Sequence, residues 1–409
     1  MVFKNTLSLF FMQGANYLAP IFLIPFYSNV LGVSSYGNIA LWLSITQFAY
    51  VVTDFGFMTL ATRDIAIISS DKNRVSRLVS SIYCLKIFLF LIVSIATAAY
   101  GFIVNVKYEV IIYSIVTIFS QCYQPVWFFH GIEKMKLLAF YFSFSKILFL
   151  VLVLTFVNST SDWSLVLLYW SISQLLGFFV SNYQYKFLGF DFYLPSFYEV
   201  KSIFYKSIHF FISRLSLASY TSFNMIILGS VGTGHYLAAF AICDQIFKAG
   251  QAFTSPVTQA LYPFLQRTKD WALYFKMTCI SLILLFFALS AFLASYDFIF
   301  ELVFNAQPDG IDDMLPVFLV LILVNFLARN LGNPLFGPID KLKIANNTVI
   351  LGATVHLVIV SFIYFYIGIT PLNLTYCILF TEFFILSLRV ILLFRYKELF
   401  KSQNKRPPL

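Results

Sequence analysis

Between residues 6 and 395 the chain runs through twelve apolar stretches, each separated from the next by a short polar segment. They cover 6–30, 36–61, 79–104, 109–130, 138–157, 164–186, 202–229, 235–262, 273–297, 314–336, 344–368 and 371–395. A helix rises 1.5 Å per residue, so about 20 mostly apolar residues cross the hydrocarbon core of a bilayer. Tilt or interfacial ends absorb the longer stretches. Twelve such helices use nearly all of the 409 residues and leave no room for a folded soluble domain. Composition agrees: 60% of residues are hydrophobic and 11% charged, against about 25% charged in a soluble domain. A water-soluble globule of this size cannot hide 50 Phe and 25 Tyr. The expected fold class is therefore an all-α integral membrane protein of about twelve transmembrane helices. The first stretch follows Lys4, lacks a small-residue cleavage site and runs past Pro20 and Pro25. It is expected to be a first helix rather than a cleaved signal peptide.

The charges set the orientation. One set of loops, with the chain ends, holds Lys4; Arg63, Lys72, Arg74 and Arg77; Lys134 and Lys136; Lys186, Lys201 and Lys206; Arg267 and Lys269; Lys341 and Lys343; and Arg395, Lys397, Lys401, Lys405 and Arg406. Those are nineteen basic residues, and the alternate loops hold only Lys107. Basic loops stay in the cytoplasm, so both termini are expected there, and a miscounted helix would break the alternation. The net charge of +9 then belongs to a surface near anionic lipid, and no nucleic-acid partner is expected. The acidic turn at 298–313, with Glu301, Asp309, Asp312 and Asp313, is external and lacks calcium-loop spacing. The five cysteines, Cys84, Cys122, Cys243, Cys279 and Cys377, fall in apolar segments without metal-ligand spacing. They are expected to be small buried hydrophobes. No metal or cofactor is expected.

A weak internal repeat is visible. Leu31-Gly32 closes the first stretch before Tyr36-Gly37-Asn38-Ile39-Ala40 opens the second, and Leu228-Gly229 closes the seventh before His235-Tyr236-Leu237-Ala238 opens the eighth. A six-plus-six parallel repeat puts these pairs in equivalent places, as in alternating-access carriers. The expected organisation is an N-terminal lobe at 1–190, a C-terminal lobe at 191–396 and a basic tail at 397–409.

A charge at bilayer depth costs roughly 2.5–3.5 kcal/mol on insertion scales, so it seeks a partner or polar surroundings. Lys86, Lys276 and Arg389 lie near cytoplasmic ends and are expected to snorkel. Lys146, Arg214, Lys248 and Arg329 lie deeper and are assigned to a cationic lining that binds substrate. On the eighth helix Asp244, Lys248, Gln251, Ser255 and Tyr262 fall within about 60° of one another at 100° per residue. Asp244 stands four residues before Lys248, the favourable order for an intrahelical pair. Gln13 and Asn16 on the first helix, Asn224 on the seventh and Asn325 on the tenth complete the expected polar lining. The acids within the spans, Asp54, Asp244 and Glu382, are the candidates for ion coupling. Excess buried cation suits an anion, and phosphate best of all.

Three short motifs then carry a resemblance: Tyr36-Gly37 after the Leu31-Gly32 turn, Asp54-Phe55-Gly56-Phe57 followed by Ala61-Thr62-Arg63, and Ala260-Leu261-Tyr262-Pro263-Phe264. In their order and placement the chain resembles the O-antigen flippases, Wzx-type members of the polysaccharide-transport branch of the MOP exporter superfamily. The resemblance extends over the whole chain in length and topology. It implies two six-helix lobes around a cationic central cavity in the bacterial inner membrane. It also implies export of an undecaprenyl-diphosphate-linked oligosaccharide from the inner to the outer leaflet, alongside the polymerase and chain-length regulator of the same pathway. Twelve helices argue against the fourteen-helix lipid II branch. No enzyme signature competes: Walker A, HExxH and GxSxG sequences are absent, and His130, His209, His235 and His356 are scattered. Two alternatives stay open. An O-antigen polymerase would carry a large external loop, which this chain lacks. A cation-coupled multidrug exporter would use Asp54 as its coupling acid, and the deep basic residues disfavour a cationic drug.

Overall fold

The computed structural model describes residues 23–231, 234–304 and 308–398. Every regular element among them is helical. In chain order the helices are α1 (Val33–Asp54), α2 (Phe57–Ile68), α3 (Lys72–Ile103), α4 (Tyr108–Cys122), α5 (Val126–Gly131), α6 (Met135–Phe156), α7 (Trp163–Phe187) and α8 (Phe197–Ser219). There follow α9 (Ser222–Gly229), α10 (Gly234–Thr268), α11 (Trp271–Val303), α12 (Ile311–Asn330), α13 (Asn333–Phe336), α14 (Leu342–Phe362) and α15 (Pro371–Arg395). A π-helical turn at Tyr27–Leu31 precedes α1, and another at Ile363–Ile367 ends α14. Among the described residues, seven helical segments are long and apolar enough to cross a membrane. The most lipid-like is α11, which presents Ile283, Leu284, Phe286 and Phe287 outward. Helix starts follow ordinary capping chemistry: Asp71, Asp270 and Thr370 accept the backbone N–H three residues on, opening α3, α11 and α15.

The chain divides into two compact units, Met1–Ala218 and Ser219–Leu409. In the first, α2, α3 and α5 enclose an aromatic core of Phe57, Trp127, Phe128, Phe129, Tyr141 and Tyr185. In the second, Leu265, Trp271, Tyr274, Leu335 and Phe336 pack around α13.

Four stretches expected as single helices are broken in two. The 36–61 stretch stops at Asp54, turns through left-handed Phe55 (φ 48°) and Gly56 (φ 81°), and restarts as α2. The 109–130 stretch breaks at Tyr123–Pro125, because Pro125 disfavours helical backbone in the residue before it. The 202–229 stretch breaks at Tyr220–Thr221 and the 314–336 stretch at Leu331–Gly332. A break frees backbone carbonyls, which lipid cannot satisfy. Buried side chains meet that need. Lys86 donates to Cys122 O at 2.6 Å, and Tyr83 and Asn182 donate to Tyr123 O at 3.0 and 2.9 Å, closing the end of α4. In the second unit Arg389 donates to Ala328 O and Tyr274 donates to Asn330 O at 2.7 Å, closing the end of α12.

This corrects two expectations. Lys86 is 1% exposed and Arg389 6%, so neither snorkels; each is a cationic cap on the negative end of a broken helix. Cys84 and Cys279 are exposed, and only Cys122, Cys243 and Cys377 are buried.

Candidate functional site

The second unit holds the longest polar stripe, on α10. Lys248 Nζ stands 2.6 Å from Asp244 Oδ2, the i, i+4 pair that the spacing predicts, with the two side chains 42% and 29% exposed. One turn on, Gln251 Nε2 donates to Asn325 Oδ1 on α12 at 2.9 Å, and Asn325 Nδ2 donates to Glu382 Oε1 on α15 at 2.9 Å. An amide–amide–carboxylate chain therefore joins three helices, ending on a Glu382 that is 5% exposed. Arg329, on α12, interacts electrostatically with the same carboxylate. Ser255 continues the stripe half-buried. Nothing is described of the Tyr262 side chain, and Gln13 and Asn16 lie outside the described residues.

Asn224 serves differently. It is fully buried on α9, and its Oδ1 stands 2.9 Å from His356 Nε2 on α14, while His356 Nδ1 stands 2.9 Å from Thr381 Oγ1 on α15. Both ring nitrogens are engaged, so this histidine pins three helices together. The scatter of histidines in sequence gave no sign of it.

In the first unit the predicted residues form two separate groups. Asp54 is 1% exposed; its Oδ1 accepts Met58 N at 3.2 Å, stabilising the positive end of α2. Its Oδ2 stands 3.1 Å from Nη1 of Arg214 on α8, whose side chain is 34% exposed. Lys146, at the middle of α6, sits over the Trp170 ring of α7 at 4.1 Å. The cations thus fall into two chemical sets. Lys86 and Arg389 are consumed by backbone carbonyls, whereas Lys248, Arg214 and Lys146 keep part of their surface accessible and are held by partners that another anion or dipole can replace.

The architecture has solved counterparts. The structure of an inward-facing multidrug resistance MATE family transporter of the MOP superfamily matches with a TM-score of 0.67 over 96% of each chain, at 14% identity, a likeness of fold alone. Among sequence relatives, the "Putative O-antigen transporter" of Shigella dysenteriae is 24% identical over 404 residues, 93% of this chain and 96% of that one. The protein of the same name in Escherichia coli (strain K12) is 28% identical over 291 residues, 68% of this chain and 70% of that one. The membrane-capable helices and relatives named as transporters mark a multi-pass inner-membrane transport protein, and not an enzyme. Residues 2–269 match the model of the family described as Polysaccharide biosynthesis protein, and the chain belongs to that family. The match agrees with the O-antigen flippase resemblance of the Asp54-Phe55-Gly56-Phe57 and Tyr36-Gly37 motifs.

Proposed function

We propose that this chain moves an undecaprenyl-diphosphate-linked oligosaccharide from the cytoplasmic to the periplasmic leaflet by alternating access of two six-helix lobes. The observation that carries the reading is the near full-length likeness to a protein named as an O-antigen transporter. The geometry supports it through the half-exposed cation of Lys248. An ammonium held by one carboxylate exchanges that partner for a phosphate, and the released Asp244 carboxylate, 29% exposed, is not left fully buried. Arg329 of the same unit supplies further positive charge for a diphosphate, and Arg214 and Lys146 are further substrate-binding candidates of the first unit. Both termini are assigned to the cytoplasm by the loop charges, and the pathway's polymerase and chain-length regulator are the expected protein partners. Outward movement of a diphosphate runs toward the positive side of the membrane. It gains about 4–5 kcal/mol for two charges at 100 mV, which assists transport without a coupling ion.

Deletion of the gene tests the reading. Long surface polysaccharide disappears, and lipid-linked repeat units accumulate on the cytoplasmic side. Normal surface glycan with reduced dye efflux would contradict it in favour of a multidrug exporter.

A further inference from the structure

The first unit contains a polar patch that neither helix capping nor the charge pairs explain. Gln124, in the break after α4, donates through Nε2 to the backbone oxygen of Gln174 at 3.0 Å, with the Gln174 side-chain oxygen at 3.4 Å. Gly177 brings this amide close to Ser145 of α6: a Cβ there would lie 3.1 Å from Gln124 Nε2 and 3.2 Å from Ser145 Oγ. Along the same face of α7 stands Trp170, edge-to-face with Phe149 at 5.0 Å and covered by the Lys146 ammonium at 4.1 Å. Gln121 lies one turn before Gln124. Three buried polar atoms find no hydrogen-bond partner among the described residues: Trp170 Nε1 and Ser145 Oγ in this patch, and Gln121 Oε1 on the last turn of α4 before it. The Ser145 side chain belongs to a residue only 5% exposed.

Each such atom left unbonded costs roughly 1–3 kcal/mol. Their chemistry is mixed: the indole only donates, the amide oxygen only accepts, and the hydroxyl does either. A phosphate accepts and so cannot serve Gln121 Oε1, and an acyl chain serves none of them. A sugar hydroxyl both donates and accepts, and the apolar face of a pyranose lies flat on an indole. Lys146 stands at the middle of a 22-residue helix and is only partly exposed, and a charge at that depth requires polar surroundings rather than acyl chains.

We infer that Gln121, Gln124, Ser145, Lys146, Trp170 and Gln174 form a carbohydrate-binding subsite within the first unit, which receives a sugar of the lipid-linked glycan. The ring takes the indole face now covered by Lys146, and the displaced ammonium bonds sugar oxygens. This rests on the reading that a glycan-bearing lipid is the substrate.

The test compares two probes on the purified full-length protein in detergent. One is undecaprenyl diphosphate without sugar, and the other is the lipid-linked oligosaccharide that accumulates in the deletion strain. Native mass spectrometry of competing mixtures reads the preference. The wild type prefers the glycosylated lipid. Trp170→Ala reduces that preference about tenfold, equivalent to about 1.4 kcal/mol, with binding of the bare lipid unchanged. Trp170→Phe keeps the ring and loses the N–H, and Gln121→Leu loses the acceptor, each reducing the preference about threefold. These two variants decide the matter if Trp170→Ala does not fold. A wild-type preference retained in folded Trp170 and Gln121 variants overturns the subsite and leaves the proposed function standing, as does equal binding of both probes by the wild type. Binding of neither probe by the wild type overturns the reading on which the subsite rests.

Discussion

At Lys248 a charge is balanced between two partners. Its spacing from Asp244 was legible in the sequence because i, i+4 geometry is fixed by the helix itself. Its exchange of Asp244 for substrate phosphate is the chemical step that the proposal assigns to it. Lys248→Ala is expected to lower transport at least tenfold at unchanged protein level, in a complementation assay of surface polysaccharide. Lys248→Arg keeps much of the activity. Asp244→Asn is milder than Lys248→Ala, because it removes a partner and leaves the anion-binding charge. Full activity in folded Lys248→Ala would reduce the stripe to helix packing. Lys86 and Arg389 depart from the snorkelling that sequence position predicts, for a physical reason. Their partners are the carbonyls of Cys122 and Ala328, in the last turns of helices that break, with Ala345 O and the Thr348 hydroxyl of α14 completing the set around Arg389. No residue spacing encodes that meeting. Gln251, Asn325 and Glu382 were each picked out as polar positions in apolar helices, yet their union depends on how α10, α12 and α15 pack.

At the scale of the element, the breaks decide where side chains can work. Three of the four carry a local signal: Gly56, Pro125, and Gly332 followed by Pro334. The fourth, at Tyr220–Thr221, has neither Gly nor Pro, so hydropathy runs through it unmarked. Gly56 is the most constrained. Its φ of 81° is one that L side chains rarely adopt, and a Cβ there would lie 2.6 Å from Phe210 Cβ and 2.9 Å from Phe211 N, on α8. Phe55 adds stacking against Phe211 at 4.5 Å and Phe204 at 5.2 Å. The break of one helix is thus the seat of another, with Asp54 and Arg214 joined beside it. Gly56→Ala is expected to cost about 2 kcal/mol or more, from backbone strain and displacement of α8. Thermal unfolding of the purified protein in detergent should show a clear drop in midpoint, and an unchanged midpoint would contradict the close packing.

For the whole molecule, hydropathy was enough to establish an all-helical membrane protein, because the bilayer requires backbone groups to be satisfied within each segment. The orientation rests on loop charges alone. Cysteines placed at Ser70 and Ser161 in a cysteine-free background should react with an impermeant reagent from opposite sides, Ser161 from the periplasm and Ser70 only after lysis. Labelling of both from one side would contradict the proposed topology. The identity of the cargo is less legible, since the three short motifs carry only a resemblance and no residue spacing encodes a sugar. The most direct measurement is transport by the purified chain in liposomes, with lipid-linked oligosaccharide from the deletion strain and a lectin that reads only the outer leaflet. The account predicts that the protein moves this lipid across the bilayer far faster than in protein-free liposomes, and that Lys248→Ala abolishes most of the gain. Movement no faster than in protein-free liposomes, by a folded and inserted wild-type protein, would contradict it.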